Sequence, residues 1–162
     1  MFTFAHFFRN NDLLTACTPR CSQHRKSGSQ MASQLLILVV EDDPDVQNIV
    51  QECLSDGGFE AVIASSGESA IELLDVAKGK YRALVTDINL RRGRLDGWHV
   101  ARHAREIEPN FPIAYMSGRD ADAWASQGVP NSIMLAKPFA PAQLVTAVSN
   151  LLNAAPPTSP TG

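Results

Sequence analysis

Long apolar runs are missing from this sequence. The longest uninterrupted aliphatic stretch is the six residues LLILVV, Leu35–Val40, against the roughly 20 that a membrane-crossing helix needs. Cysteine is scarce as well. Cys17, Cys21 and Cys53 make an odd count without regular spacing, which argues against a disulfide framework and for a reducing, cytoplasmic setting. CTPRC, with His24 close by, offers at most three soft ligands and no second pair, so it is not read as a metal clip. The net charge of −3 makes no case for binding nucleic acid. No basic segment leads into an apolar core at the N-terminus, so a secretory signal is not expected. What is present, 162 residues that are 44% apolar and 7% aromatic, suits one globular domain with its own core.

The charge is divided unevenly. Residues 1–30 hold four basic residues (Arg9, Arg20, Arg25, Lys26) and one acid (Asp12), whereas residues 31–162 hold ten basic and sixteen acidic ones. The first thirty residues show no sustained period and end in a Ser/Gly/Gln-rich basic stretch, the composition of a flexible segment. Residues 1–33 are therefore read as a disordered arm or an over-extended gene start, with Met31 as the natural initiator. A proline-rich polar tail over 154–162 is read as disordered, leaving one folded domain over 34–153.

Within that span short apolar runs alternate with helical spacing. The runs are Leu35–Val40, Ala61–Ala64, Ala83–Thr86, Ile113–Met116 and Ile133–Ala136. They are rich in Val, Ile and Leu and do not alternate with polar residues, as expected for strands buried on both faces. Between them Val46, Ile49, Val50, Cys53 and Leu54 fall on one helical stripe. Residues 70–77, 100–107 and 144–152 repeat the pattern, and a weaker helix is expected over Ala121–Gln127. Asp43 before Pro44 predicts an N-cap followed by proline in the first turn. Gly57-Gly58 and Gly79 predict the ends of the first and second helices, and Asp96-Gly97 predicts a turn and a helix start. Five strands alternating with five helices predict an α/β, doubly wound, five-stranded parallel sheet.

In such sheets ligands sit at the carboxyl ends of the strands. The first strand ends in Glu41-Asp42-Asp43, the third in Asp87, the fourth in Ser117 and the fifth in Lys137. With strand order 2-1-3-4-5 all of these converge. Carboxylates gathered this closely ionise together only if a cation joins them, and an all-oxygen set favours Mg²⁺. A lysine and a hydroxyl beside the metal are donors for phosphoryl oxygens. The chemistry implied is phosphoryl transfer onto a strand-end aspartate.

The motifs LVVEDDP, VTDINL, YMSG and KPF, in order and with 45, 30 and 20 residues separating Asp42, Asp87, Ser117 and Lys137, resemble the receiver domain of two-component response regulators. The resemblance runs from about Leu35 to Leu152 and implies the flavodoxin-like (α/β)5 receiver fold. It implies Asp87 as phospho-acceptor, Asp42 as a direct Mg²⁺ ligand, Glu41 as a ligand through water and the Asn89 backbone carbonyl as a further ligand. It also implies Ser117 as switch hydroxyl, Lys137 as phosphoryl contact and a cis Lys137–Pro138 peptide. Partners would be a histidine kinase or histidine phosphotransfer protein and a downstream protein target, with a homodimer left open and no nucleic acid or membrane partner. The expectation is a single-domain response regulator that signals by protein–protein contact and is not an enzyme beyond its own phosphorylation and dephosphorylation.

Three features depart from the family pattern. The loop DINLRRGRLDGW is longer by about two residues and carries Arg91, Arg92 and Arg94. Met134 stands where receivers usually place an aromatic residue. The fourth helix region is short and ends near Pro130. The arginine loop and Met134 keep open a receiver-like docking module that is not phosphorylated; the detached receiver of a hybrid kinase is a further alternative. A Mg²⁺-dependent aspartyl-phosphate phosphatase is disfavoured, because Asn89 stands where such enzymes place a second acid. The arginine cluster is read as a solvated loop, Trp98, Trp124 and Cys53 as packing residues, and His6, His99 and His103 as lacking convergent partners.

Overall fold

A computed structural model describes residues 34–154 of the chain. The expectations for residues 1–33, including Cys17, Cys21, His24 and His6, and for the tail beyond Ala154, lie outside the described residues. In chain order the elements are β1 (Leu35–Val40), α1 (Pro44–Asp56), β2 (Phe59–Ala64), α2 (Gly67–Val76), β3 (Ala83–Asp87), α3 (Gly97–Ile107) and β4 (Ile113–Ser117). A 3₁₀ turn (Ala121–Ala123), α4 (Trp124–Gln127), β5 (Ile133–Ala136) and α5 (Pro141–Ala154) complete them. The strands form one sheet in the order β2-β1-β3-β4-β5. All four pairings are parallel. This is the doubly wound receiver topology expected above.

The uniform apolarity of the strands has a structural cause. Successive side chains of a strand point to opposite faces, and here both faces are covered. Ile37 and Val39 of β1 join Val50, Leu54, Leu144 and Val148 in a core under α1 and α5. Leu38 and Val40 join Leu74, Trp98, Val100 and Tyr115 in a second core under α2 and α3. Every residue of β3 and β4 is buried. A strand in this position has no solvent face for polar residues until its carboxyl end, which is where the acids, the serine and the lysine lie.

Local chemistry sets the helix ends. The Asp43 carboxylate accepts from the Asp45 N–H at 3.0 Å, with Pro44 opening α1. Asp96 does the same for α3, accepting from the His99 N–H at 2.9 Å. Ser66 and Ser69 cap α2 reciprocally. Gly57 closes α1, and Gly58 turns the chain with φ of 83°. The second helix stops earlier than its glycine predicts. It ends at Val76 with Ala77 as its cap, and Gly79 (φ 75°) turns the loop that follows. The weak fourth helix divides into the 3₁₀ turn and a four-residue α4. Its last turn is limited by Gly128, where a Cβ would lie 2.4 Å from the indole Cδ1 of Trp124. Trp124 Nε1 donates to Ser132 Oγ at 3.0 Å, which ties α4 to the start of β5.

Candidate phosphoryl-acceptor and metal site

The carboxyl ends of β1, β3 and β5 bring Glu41, Asp42, Asp87 and Lys137 together, although the chain separates them by as many as 96 positions. Glu41 is 1% exposed and Asp87 is 8% exposed. The Lys137 ammonium donates to Glu41 Oε2 at 2.7 Å and to Asp87 Oδ2 at 3.0 Å. One cation thus bridges the acids delivered by two neighbouring strands.

The protonation of the pair follows from this packing. Burial pushes the Glu41 carboxyl above 4.5, the Lys137 hydrogen bond pulls it down, and the nearby Asp87 charge pushes it up again, leaving it raised. Burial alone would lower Lys137. Its hydrogen bonds to Glu41 and Asp87, with the charge of both, outweigh that and hold it above 10.5. Lys137 faces two carboxylates, whereas Glu41 faces one ammonium and one like charge, so both groups move upward.

Glu41, Asp42 and Asp87 each offer a carboxylate oxygen, and these oxygens lie within 4.8 Å of one another. A hard divalent cation fits such an all-oxygen set. The buried Glu41 carboxylate is the observation that favours it, since one ammonium does not balance three acids. The three residues line a cavity of about 600 Å³ together with Lys137, Asn89, Arg91, Arg119 and Asp120.

The remaining predicted residues are placed as follows. The Asn89 N–H donates to Asp87 Oδ1 at 3.2 Å, and its side-chain amide donates to Asp120 Oδ2. Ser117 ends β4 and is 1% exposed. Its Oγ accepts from the N–H groups of Arg119 and Asp120, at 3.1 and 2.8 Å, and is thus turned toward its own loop. The Lys137–Pro138 peptide is cis, as the resemblance implies. Asp43 serves as the helix cap, as read, and also gives its N–H to Glu41 Oε1 at 3.2 Å.

Several contacts were not found in the sequence. Asp120 and Arg119 carry no motif that marks them; Asp120 is recognisable only as an acid three residues past Ser117. Glu68, in the first turn of α2, accepts from the Arg94 N–H at 2.6 Å. That bond lowers its carboxyl below 4.5. The reading of the histidines needs one correction. His103 lies 2.9 Å from Asp75 Oδ1 and 3.7 Å from Glu106 Oε2, joining α3 to α2, and His99 lies 2.7 Å from Asp96 Oδ1. These three contacts arise from helix packing or helix capping, and neither histidine lines the acidic cavity.

The aromatic residue missing from β5 has a counterpart on β4. Met134 is the register partner of Tyr115. Tyr115 is fully buried, packs against Trp98 with ring centroids 4.5 Å apart and the rings tilted by 51°, and accepts at its hydroxyl from the Val129 N–H at 3.3 Å. Trp98 and Cys53 are buried, as their reading as packing residues requires.

Parallel β1 and β3 meeting at the switch point of a 2-1-3-4-5 sheet, with an acidic cluster and one lysine at their carboxyl ends, define a two-component receiver. The model of the response regulator receiver domain matches residues 37–149, and the chain belongs to that family. It is 32% identical over 121 residues to the response regulator receiver protein CpdR of Brucella abortus (strain 2308), covering 74% of this chain and 98% of CpdR. It is also 32% identical over 123 residues to response regulator MprA of Mycobacterium leprae (strain TN), covering 75% of this chain but only 52% of MprA. The chain thus spans about half the length of the MprA relatives. Among solved structures, a response regulator receiver protein from Sinorhizobium medicae WSM419 superposes with a TM-score of 0.72 at 48% identity, over 75% of this chain and 97% of that one. The receiver domain of sensor histidine kinase PA1611 from Pseudomonas aeruginosa PAO1, with magnesium ion coordinated in its active site cleft, shares the fold. Its TM-score is 0.64 at 24% identity, over 75% of this chain and 100% of that one. Among the described residues, no helix is long and apolar enough to cross a membrane.

Proposed function

We propose that Asp87 accepts a phosphoryl group from a histidine kinase or histidine phosphotransfer protein, and that the signal passes on by protein–protein contact. The observation that carries this reading is the Lys137 ammonium held between Glu41 and Asp87, beside a third acid, at the carboxyl ends of adjacent strands. An Asp87 carboxylate oxygen forms the new P–O bond as the bond from phosphorus to the donor's leaving atom breaks, and the leaving group departs with that electron pair. Lys137 stays within reach of Asp87 Oδ2 and takes up charge on the phosphoryl oxygens. The Ser117 hydroxyl exchanges its loop amides for a phosphoryl oxygen. Glu41, Asp42 and Asp87, with the Asn89 carbonyl, would hold Mg²⁺, which when bound neutralises the oxygens of the transferred group.

The described residues that line the cavity place Asn89, an amide, two positions past Asp87. That supports a phosphoprotein that holds its group over a phosphatase that turns over substrate. CpdR, named a response regulator receiver protein and matched over 98% of its length, supports the receiver reading, in which the domain would act through partner proteins in the cytoplasm.

The test is incubation with Mg²⁺ and acetyl phosphate followed by intact mass. One phosphoryl adduct is expected on the wild type and none on Asp87→Asn. An unmodified wild type, or an adduct that survives Asp87→Asn, refutes the reading.

A further inference from the structure

The loop that lengthens the third crossover is fixed in place, and one of its arginines, Arg91, lines the cavity. The Arg91 N–H donates to Asp42 Oδ2 at 3.3 Å, and the Arg94 N–H donates to Glu68 Oε1 at 2.6 Å. Between them Gly93 has φ of 101°, and a Cβ there would fall 2.0 Å from the Glu68 carboxylate. On the neighbouring loop after β4 the Arg119 N–H donates to Ser117 Oγ. The side chains of Asn89 and Asp120 join the two loops. Each loop therefore anchors one arginine by its main chain to a residue of the site itself.

Charges of both signs surround these arginines at the cavity. Its lining holds Glu41, Asp42, Asp43, Asp87 and Asp120 against Lys137, Arg91 and Arg119. Lys137 is committed to Glu41 and Asp87. Among the described residues neither Arg91 nor Arg119 is in an ion pair. An incoming phosphoryl donor is itself an anion, and it approaches past five acids. Guanidinium groups offer a planar fork of donors that matches phosphate oxygens.

We propose that Arg91 and Arg119 form an anion-binding lip at the mouth of the Asp87 cavity that captures small, doubly charged phosphoryl donors before transfer. The proposal rests on the reading of Asp87 as acceptor and adds a determinant of donor choice to it. The lip acts on binding, so it alters the donor concentration at half-maximal rate and not the maximal rate. Arg92, exposed on the same loop and outside the cavity lining, takes no part.

The experiment measures the initial rate of Asp87 phosphorylation, by intact mass, against donor concentration for wild type, Arg91→Gln, Arg119→Gln, the double variant and Arg92→Gln. Exposed charge pairs of this kind predict about a threefold rise in the half-maximal acetyl phosphate concentration for each single variant and about tenfold for the double. The maximal rate should stay within about twofold, the effect should shrink as salt is raised, and it should be smaller for phosphoramidate, which carries less negative charge. An unchanged half-maximal concentration in the double variant overturns the proposal. So does an equal shift in Arg92→Gln, which would make the effect one of overall charge, and so does a fall confined to the maximal rate. A wild type that takes no adduct, or an adduct kept by Asp87→Asn, removes the acceptor reading and the lip together, whereas a phosphorylated wild type with indifferent arginine variants removes the lip alone.

Discussion

The ammonium of Lys137 lies 2.7 Å from Glu41 Oε2, and the Glu41 side chain is 1% exposed. The two residues depend on each other, since a carboxylate this deeply buried needs a counter-charge. Truncating Lys137 leaves Glu41 and Asp87 facing one another with neither neutralised. Lys137→Met should lower the stability of the metal-free protein by about 2 kcal/mol, below the full cost of breaking a buried pair because the lysine is itself partly in water. Urea unfolding at neutral pH measures this. Added Mg²⁺ should restore part of the loss, since the same carboxylates would hold it.

The raised Glu41 carboxyl predicts a pH dependence whose sign can be worked out. Its folded value lies above the 4.5 of the free group, so between those two values the folded state binds more protons than the unfolded one. In the metal-free protein this group's contribution to stability therefore falls as pH rises from 4.5 through the folded value. Mg²⁺ competes with that proton. Its binding should weaken as pH is lowered, starting above the ordinary carboxylate range; titrating Mg²⁺ by calorimetry at several pH values tests it. Lys137 behaves in the opposite region. Its raised value gives stability that is full below 10.5 and lost as pH climbs through the folded value.

The residues that form the site were legible in the sequence because each ends a strand. A strand buried on both faces reads as an unbroken aliphatic run, and its first polar residue marks the end of the sheet. Leu35–Val40 emerges with the predicted limits for this reason. Ile133–Ala136 does so although only Leu135 of that edge strand is buried. Glu41, Asp42 and Lys137 follow these strands directly. Contacts between loops carry no such mark. The Asn89–Asp120 bond joins residues 31 apart and the Glu68–Arg94 bond joins residues 26 apart. Nothing in either local sequence requires the meeting, because the conformation of two loops decides it. The same holds for Ser117, whose position is fixed by β4 while the direction of its hydroxyl depends on the backbone amides beyond it. Gly79 marks the turn and not the end of α2, because a helix can stop before its glycine when the turn takes up the difference.

Gly97 opens α3 directly behind Asp87. A Cβ at this position would lie 2.2 Å from the Asp87 carbonyl oxygen, a main-chain atom that cannot swing aside. Gly97→Ala should push the end of β3 and lower stability by about 1–3 kcal/mol, the usual range for overpacking. It should also weaken Mg²⁺ binding, because Asp87 moves with its backbone. Thermal unfolding and a Mg²⁺ titration of the same sample read the two effects. A variant that melts and binds like wild type would show that the approach of α3 to β3 is slack.

Tyr115 fills, on β4, the space across from Met134. Its ring packs tilted against Trp98 and its hydroxyl accepts from the Val129 N–H at 3.3 Å. Tyr115→Phe keeps the ring and removes the acceptor, so the Val129 amide loses its partner at a cost of about 1 kcal/mol. Urea unfolding should show that loss with an unchanged slope. Exchange of the Val129 amide with solvent should quicken, while the near-ultraviolet signal of Trp98 should persist.

The Glu68 carboxylate fixes the arginine loop from outside the cavity, through the Arg94 N–H at 2.6 Å. This bond to the charged form is the main cause that lowers Glu68 below 4.5, so its support is present above that value and is lost as pH falls through the lower, folded one. Glu68→Ala should free residues 91–94, whose only other main-chain tie to a side chain is Arg91 to Asp42 among the described residues. Trypsin reads this directly, since Arg91, Arg92 and Arg94 are all exposed. The variant should be cut in this loop several times faster than wild type at neutral pH. The wild type should approach the variant's rate only when acid protonates Glu68, a condition better followed by exchange of the Arg94 amide. Equal cutting of both proteins would mean that the loop is held by the Asp42 contact alone.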